Sequence, residues 1–229
     1  MATKKPDGDG QKILTVEQIQ VLNLVAGEQY FCKFFYFTGG TPLAAFYLHH
    51  RLSEDIDLFS EREIHLPSIR AFVKKVQDKL HLQAVDYTNF LGLHSFQLVF
   101  SETNRLKVDF NYYPFPRIEP GKPYQKTLPV DSPLDIAVNK IHTIAMKPRA
   151  RDFIDIYFLI REYQYDIQTL LMHAKAKFDW HIDPLQLGSR LLMAAEASDY
   201  PRMLKPIDHQ EWKIFFIEEA KKLKSEIFQ

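Results

Sequence analysis

Pro114, Pro116, Pro120, Gly121 and Pro123 fall within one short stretch of this 229-residue chain. Proline has no backbone N–H to give to a helix or a sheet ladder, so a run this rich in it interrupts both. It divides the chain. Ahead of it, short apolar or aromatic runs alternate with helical patterns; from residue 132 onward the patterns are helical. Segregated signals of this kind predict an α+β fold. We expect a mixed-sheet core over 13–131, a helical region over 132–229 and a flexible tail over 1–12.

Within the first part the pattern predicts a helix over 15–31, with Thr15 and Gln18 spaced as a capping box. It predicts a buried aromatic strand over 34–38, closed by Gly39-Gly40, and a helix from Pro42 to about 50. A strand with one polar face follows over 55–59, and a helix opens at Pro67. Strands are expected over 82–87, 94–100 and 105–112, the last two joined by a turn at 101–104 as an antiparallel hairpin. Helices are expected over 133–146, 150–162, 167–177, 184–196 and 209–227.

Composition sets limits on function. Lys and Arg total 29, as do Asp and Glu, so no bulk charge draws the chain to nucleic acid and any such contact needs a local basic patch. Lys74, Lys75, Lys79, Lys147, Arg149, Arg151, Lys175 and Lys177 are the candidates for one. Cys32 is the only cysteine, which excludes an intramolecular disulfide and a cysteine-built zinc site and fits a cytoplasmic setting. No apolar run approaches the roughly 18 residues of a membrane span, and the opening residues lack the apolar stretch of a signal peptide.

The chemistry concentrates in FTGGTPLAAFYLHHRLSEDIDLFS, residues 37–60. Asp55 and Asp57 are two apart, so on a strand both carboxylates leave one face. Hard divalent cations such as Mg²⁺ prefer carboxylate oxygen and keep places for water and phosphate. Asp109, bracketed by Val108 and Phe110, is an acid in an apolar strand and would be costly to leave charged without a partner. Beside Asp55 and Asp57 it would complete a three-carboxylate cluster able to hold two Mg²⁺ ions. The Gly39-Gly40 corner lets backbone approach phosphate, with the Thr38 and Thr41 hydroxyls as further contacts. Read singly, the D-x-D and the Gly-Gly pair are also what a solvated strand edge and a plain turn would show.

T-G-G-T-x-L-A-x-x-Y-L-x-H-R-x-S-x-D-I-D-L-F resembles the opening motif of the AbiEii/AbiGii toxin family of nucleotidyltransferases, in the DNA polymerase β-like superfamily. In that superfamily a Gly-Gly or Gly-Ser corner and a helix precede D-x-D on the next strand, here Gly39, Gly40, Asp55 and Asp57. Lys107-Val108-Asp109 is similar to the family's K-x-D motif, and His50-Arg51 and Ser53 match residues just ahead of the acids. In the helical half, Lys140 and then Arg151-Asp152-x-x-Asp155 resemble the family's later motifs.

The resemblance implies a polymerase β-like core and a metal-dependent transfer of a nucleoside monophosphate from an NTP, releasing pyrophosphate. Asp55, Asp57 and Asp109 would hold the metal and carry catalysis, with Mg²⁺ replaceable by Mn²⁺. Thr38, Gly39, Gly40, Thr41, Arg51, Ser53, Lys107, Lys140, Arg151, Asp152 and Asp155 would bind or support the nucleotide. It also implies the toxin half of a toxin–antitoxin pair with a cognate antitoxin, acting in growth control or phage defence, with tRNA the favoured acceptor and protein the other. The rival reading is a non-catalytic nucleotide- or partner-binding module on the same fold. A metal-dependent phosphohydrolase would call for more histidine ligands. Without the family pattern, Arg151 and Asp155 read as an exposed i,i+4 ion pair. His50 is placed to approach phosphate, His94 and His142 are read as structural, and Cys32 as a core thiol.

Overall fold

The computed structural model describes residues 13–180 and 183–227; the tail expected over 1–12 lies outside them. The chain forms two compact units. One holds the chain up to Tyr47, Ser53–Pro116 and Pro120–Ser132; the other holds Leu48–Leu52, Arg117–Glu119 and the chain from Pro133.

The first unit is built on a five-stranded mixed sheet. Its helices α1 (Val16–Ala26) and α2 (Gln29–Phe34) precede β1 (Tyr36–Thr38). A helical turn, α3 (Gly40–Pro42), runs on into a π-helix over Leu43–Leu48. Then come β2 (Ile56–Ser60), α4 (Leu66–Leu80), β3 (Ala84–Phe90), β4 (Leu93–Val99) and β5 (Arg105–Tyr112). The sheet order is β1-β2-β5-β4-β3, with β2 and β5 parallel and the other neighbours antiparallel. The parallel pairing of β2 with β5 spans α4, β3 and β4, as a parallel pair requires a long connection.

Alternation along the strands gives the sheet a dry side. Ile56 and Leu58 of β2 and Val108 and Phe110 of β5 are buried and pack with Val21, Leu22 and Val25 of α1 and Ile69, Phe72 and Val76 of α4. Full burial of such a side chain contributes about 1.5–3 kcal/mol. The residues between them, Asp57 and Asp109, therefore emerge on the other face.

The second unit contains α5 (Pro133–Met146), α6 (Ala150–Tyr163), α7 (Ile167–Phe178), α8 (Pro184–Leu192) and α9 (His209–Ile227). Asp166 and Asp183 cap α7 and α8 by accepting from Thr169 N and Leu185 N. Phe153 of α6 packs its ring 6.0 Å from Trp212 and 4.8 Å from Phe216 of α9. Residues 48–52 join this unit through main-chain bonds: Arg51 bridges Met203 antiparallel, Leu52 N donates to Arg202 O, and Leu204 N and Lys205 N donate to His50 O.

Several expected boundaries shift. The helix expected over 15–31 breaks at Gly27, which closes α1, and a second helix takes Phe34 out of the expected strand. Thr15 and Gln18 do form the capping box. The helix expected to reach residue 50 stops at Leu48, because His49 takes a left-handed backbone (φ 53°) that ends helical winding. The helix expected over 184–196 is α-helical only to Leu192 and ends in a 3₁₀ turn over Met193–Ala195. Among the described residues no helix is long and apolar enough to cross a membrane.

Candidate active site

Strand register aligns the chemistry. Thr38 pairs with Asp57, Asp57 with Asp109, Asp109 with Ser95 and Ser95 with Thr88. One polar row thus crosses all five strands, between apolar rows such as Ile56, Val108 and Phe96. Neighbouring strands lie about 4.8 Å apart, so the Asp57 and Asp109 carboxylates start from adjacent backbone positions on one face. Asp55 lies just ahead of β2.

The glycine corner closes over this row. Gly39 has φ 84°, a region open to glycine, and a Cβ built on it would lie 2.5 Å from Asp57 Oδ2. Backbone at Gly39 therefore touches the carboxylate directly.

The hydroxyls face inward. Thr38 Oγ1 donates to Asp131 Oδ2 at 2.5 Å. Thr41 Oγ1 bonds the Asp55 carbonyl at 2.5 Å and lies 2.9 Å from Ser53 Oγ. The sequence marks Thr38 and Thr41 as phosphate contacts; the structure has Thr41 and Ser53 anchoring the backbone at Asp55, while Thr38 holds Asp131. Ser95 is a site residue the sequence does not announce: its Oγ donates to Asp109 Oδ1 at 2.6 Å.

Lys107, two before Asp109 on β5, emerges on the same face. Its ammonium lies 2.9 Å from Asp109 Oδ2 and 3.6 Å from Asp55 Oδ2. Burial opposes its charge, yet the hydrogen bond it donates to Asp109 and the carboxylates of Asp109, Asp55 and Asp57 outweigh it and raise the Lys107 pKa. Among the described residues no three His, Cys, Asp or Glu side chains are gathered as a metal centre. The ammonium of Lys107 stands between the Asp109 and Asp55 carboxylates, and Asp57 lies beside Gly39.

The motif residues of the second unit gather on Asp155, which is fully buried. Arg51 donates from Nε to Oδ1 at 2.6 Å and from Nη2 to Oδ2 at 2.7 Å, the two-pronged match of guanidinium to carboxylate, and from Nη1 to the Leu52 carbonyl. His50 Nε2 lies 2.7 Å from Asp155 Oδ1. Lys140 Nζ reaches Asp155 Oδ2 at 2.7 Å and Asp152 Oδ1 at 3.0 Å, and Arg149 meets Asp152 at 3.2 Å. Burial would raise the Asp155 pKa, but the charges of Arg51 and Lys140 and the bonds from Arg51 and His50 hold it well below the usual carboxylate range. Burial lowers the His50 pKa despite Asp155.

Asp155 is therefore not the partner of Arg151 in an exposed pair. Arg151 is half-buried and, among the described residues, forms no ion pair. His50 is enclosed with Asp155 rather than open to phosphate. Lys177 drops out of the candidate basic surface, since its ammonium is buried 2.7 Å from Asp135. Lys74 and Lys75 are exposed but paired with Asp78 and Glu28. His142 packs against Phe178 at a tilt and meets Trp180 edge-on, and His94 meets the Tyr87 hydroxyl. Cys32 is half-buried, its thiol against the Ala26 carbonyl.

Comparison with known proteins gives a consistent result. The family model described as nucleotidyl transferase AbiEii toxin, type IV TA system, matches residues 24–216. An uncharacterized protein of Aquifex aeolicus (strain VF5) is 30% identical over 148 residues, covering 64% of this chain and 68% of that protein. A crystal structure of a candidate nucleotidyltransferase from H. pylori superposes with a TM-score of 0.57 at 18% identity, covering 93% of this chain and 97% of the other. JHP933 from Helicobacter pylori superposes with a TM-score of 0.55 at 16% identity, covering 97% and 94%. At these identities the two structures establish the shared α+β fold.

Proposed function

We propose, for a chain that belongs to the AbiEii nucleotidyltransferase toxin family of type IV toxin–antitoxin systems, that it moves a nucleoside monophosphate from an NTP to an acceptor hydroxyl. The acceptor we favour is the end of a tRNA, with a protein hydroxyl as the other class. The observation carrying this reading is the register of Asp57 with Asp109 beneath Gly39, which puts two carboxylates and a bare stretch of backbone in one place.

The donor set fits a hard divalent cation. Asp57 and Asp109 offer oxygen from adjacent strands, and the ammonium of Lys107 already stands as a cation against Asp109 and Asp55. Asp55, Asp57 and Asp109 would hold Mg²⁺, with Mn²⁺ as substitute. When bound, the metal neutralises triphosphate charge and favours the ionised acceptor hydroxyl. Asp109 takes the proton from that hydroxyl, and Ser95 orients the carboxylate by donating to Oδ1. Backbone N–H groups at Gly39 and Gly40 would offer neutral donors to phosphate oxygen. Thr41 and Ser53 keep Asp55 in place.

In this reading Arg51, Asp152, Asp155 and Lys140 are the charge frame of the helical unit, and Arg151 is its available cation for the nucleotide or acceptor. The protein works in the cytoplasm, where NTP and tRNA are present, opposed by a cognate antitoxin.

The test is direct. The protein is incubated with Mg²⁺, each labelled NTP and total tRNA, beside Asp57→Ala. Label should pass to RNA with wild type and not with the variant. Retained NTP binding with no label on RNA or protein would mean a binding module rather than an enzyme. Metal-dependent NTP hydrolysis with no acceptor would point to a phosphohydrolase.

A further inference from the structure

Lys107 differs from the other lysines that meet carboxylates near the family motifs. Lys140 and Lys177 are enclosed with their acids, their side chains 11% and 1% exposed. Lys107 is 38% exposed and reaches its acids from a strand whose next outward position is Asp109 itself. An ammonium on a flexible four-carbon stem is a mobile point charge, unlike a guanidinium fixed by its fork. It has a solvated place to go.

Its present place is also informative. Without Lys107, the Asp55 and Asp109 carboxylates would lose the ammonium that stands between them, and like charges on one face oppose folding. The lysine relieves this with a single positive charge touching two of the three carboxylates. A divalent ion would compete for the same oxygen atoms, Asp109 Oδ2 first among them.

We propose that Lys107 is a resident counter-cation of the acidic row, holding Asp109 and Asp55 until a divalent ion displaces it. This rests on the reading above that these carboxylates take a metal. Lys107 then sets the affinity of the site for metal: it stabilises the metal-free protein and competes with the ion. Displaced, it remains beside the row as a cation for the triphosphate that accompanies the metal. The role differs from that of a lysine serving only as a nucleotide ligand, which would leave metal affinity unchanged in the absence of nucleotide.

Calorimetric titration with Mn²⁺ alone, and with Mg²⁺ alone, tests it without nucleotide or acceptor. Lys107→Met should bind either ion about tenfold more tightly than wild type, the scale expected when one nearby charge is removed in partly screened surroundings. Lys107→Met should also melt at lower temperature without metal and gain more from added Mn²⁺. Should Lys107→Met fail to fold, Lys107→Gln keeps a donor for Asp109 without the charge and is expected to show the same gain in affinity. Equal or weaker Mn²⁺ binding by the neutral variant would overturn the proposal while leaving the metal reading intact. No Mn²⁺ binding by either protein would overturn both. Tighter binding by the variant, with no labelled product from wild type, would uphold the counter-cation and remove the transfer reaction.

Discussion

The carboxylate of Asp57 fills the space that a side chain at Gly39 would need, leaving a Cβ there only 2.5 Å from Oδ2. The backbone also sits at φ 84° and ψ −157°, a region essentially confined to glycine, which costs an L-residue about 1–3 kcal/mol before any collision. Gly39→Ala should therefore displace Asp57 and abolish nucleotide transfer. It should also lower the melting temperature by several degrees, at about 2–4 °C per kcal/mol for a chain of this size. Gly40→Ala carries no such positive φ and should melt closer to wild type. Thermal melts and the labelled-NTP assay on both variants check this.

Ser95→Ala removes the donor to Asp109 Oδ1 and little else, since Ser95 lies at the edge of the core. A hydrogen bond to a charged group contributes about 1.5–3 kcal/mol. We expect the turnover rate to fall about tenfold to a hundredfold, the KM for NTP to stay near wild type and the melting temperature to change little. Ser95→Thr, which restores the hydroxyl, should recover part of the rate. A raised KM at unchanged turnover would instead place Ser95 against the nucleotide.

Asp155→Asn leaves Arg51 and Lys140 buried without the charge they share. Breaking a buried ion pair on one side costs about 3–5 kcal/mol. Urea unfolding should show a loss of that order, larger than for Arg161→Ala, whose pair with Glu211 is exposed. The cost also depends on pH. The Asp155 carboxyl is depressed in the folded state, so its contribution is present above its unfolded pKa and lost as pH falls through the folded one.

Histidines set a second window. Burial lowers the pKa of His142, which packs against the rings of Phe178 and Trp180. Below the unfolded pKa of about 6.5 the unfolded chain takes up a proton that the folded chain resists, so stability falls with pH. His50 and His94 act in the same direction, each depressed first by burial. Unfolding free energy should therefore decline between about pH 7 and 5, and His142→Phe should make that decline shallower. An unchanged slope would show that His142 titrates alike in both states.

The acids and the glycine corner were legible because their chemistry is local: D-x-D two apart, Gly-Gly at a strand end, an acid inside V-D-F. The helical half was legible because its elements follow periodicity and caps near in sequence, as Asp166 and Asp183 do. What was not legible depends on register or distance. Ser95 carries no signal until β4 is aligned with β5. Arg51 and Asp155 are 104 residues apart, so nothing in the sequence reveals that the guanidinium is spent on a buried carboxylate. The i,i+4 rule offered Arg151 to Asp155 instead, but long-range packing turned Asp155 inward. Thr38 and Thr41 look available in the sequence because their acceptors, Asp131 and the Asp55 carbonyl, are defined only by the fold.

The helical unit takes residues 48–52 from the middle of the sheet-bearing sequence and lays them against 202–205. Its fold is thus written in separate passages, and the proline-rich stretch is no clean place to cut. A fragment starting at residue 133 would leave Asp155 without Arg51 and His50, and the main chain at 202 and 204 without its hydrogen-bonding strand. Split halves of this protein should recover the native state only when they are combined, which makes fragment complementation, rather than domain dissection, the natural way to take the molecule apart.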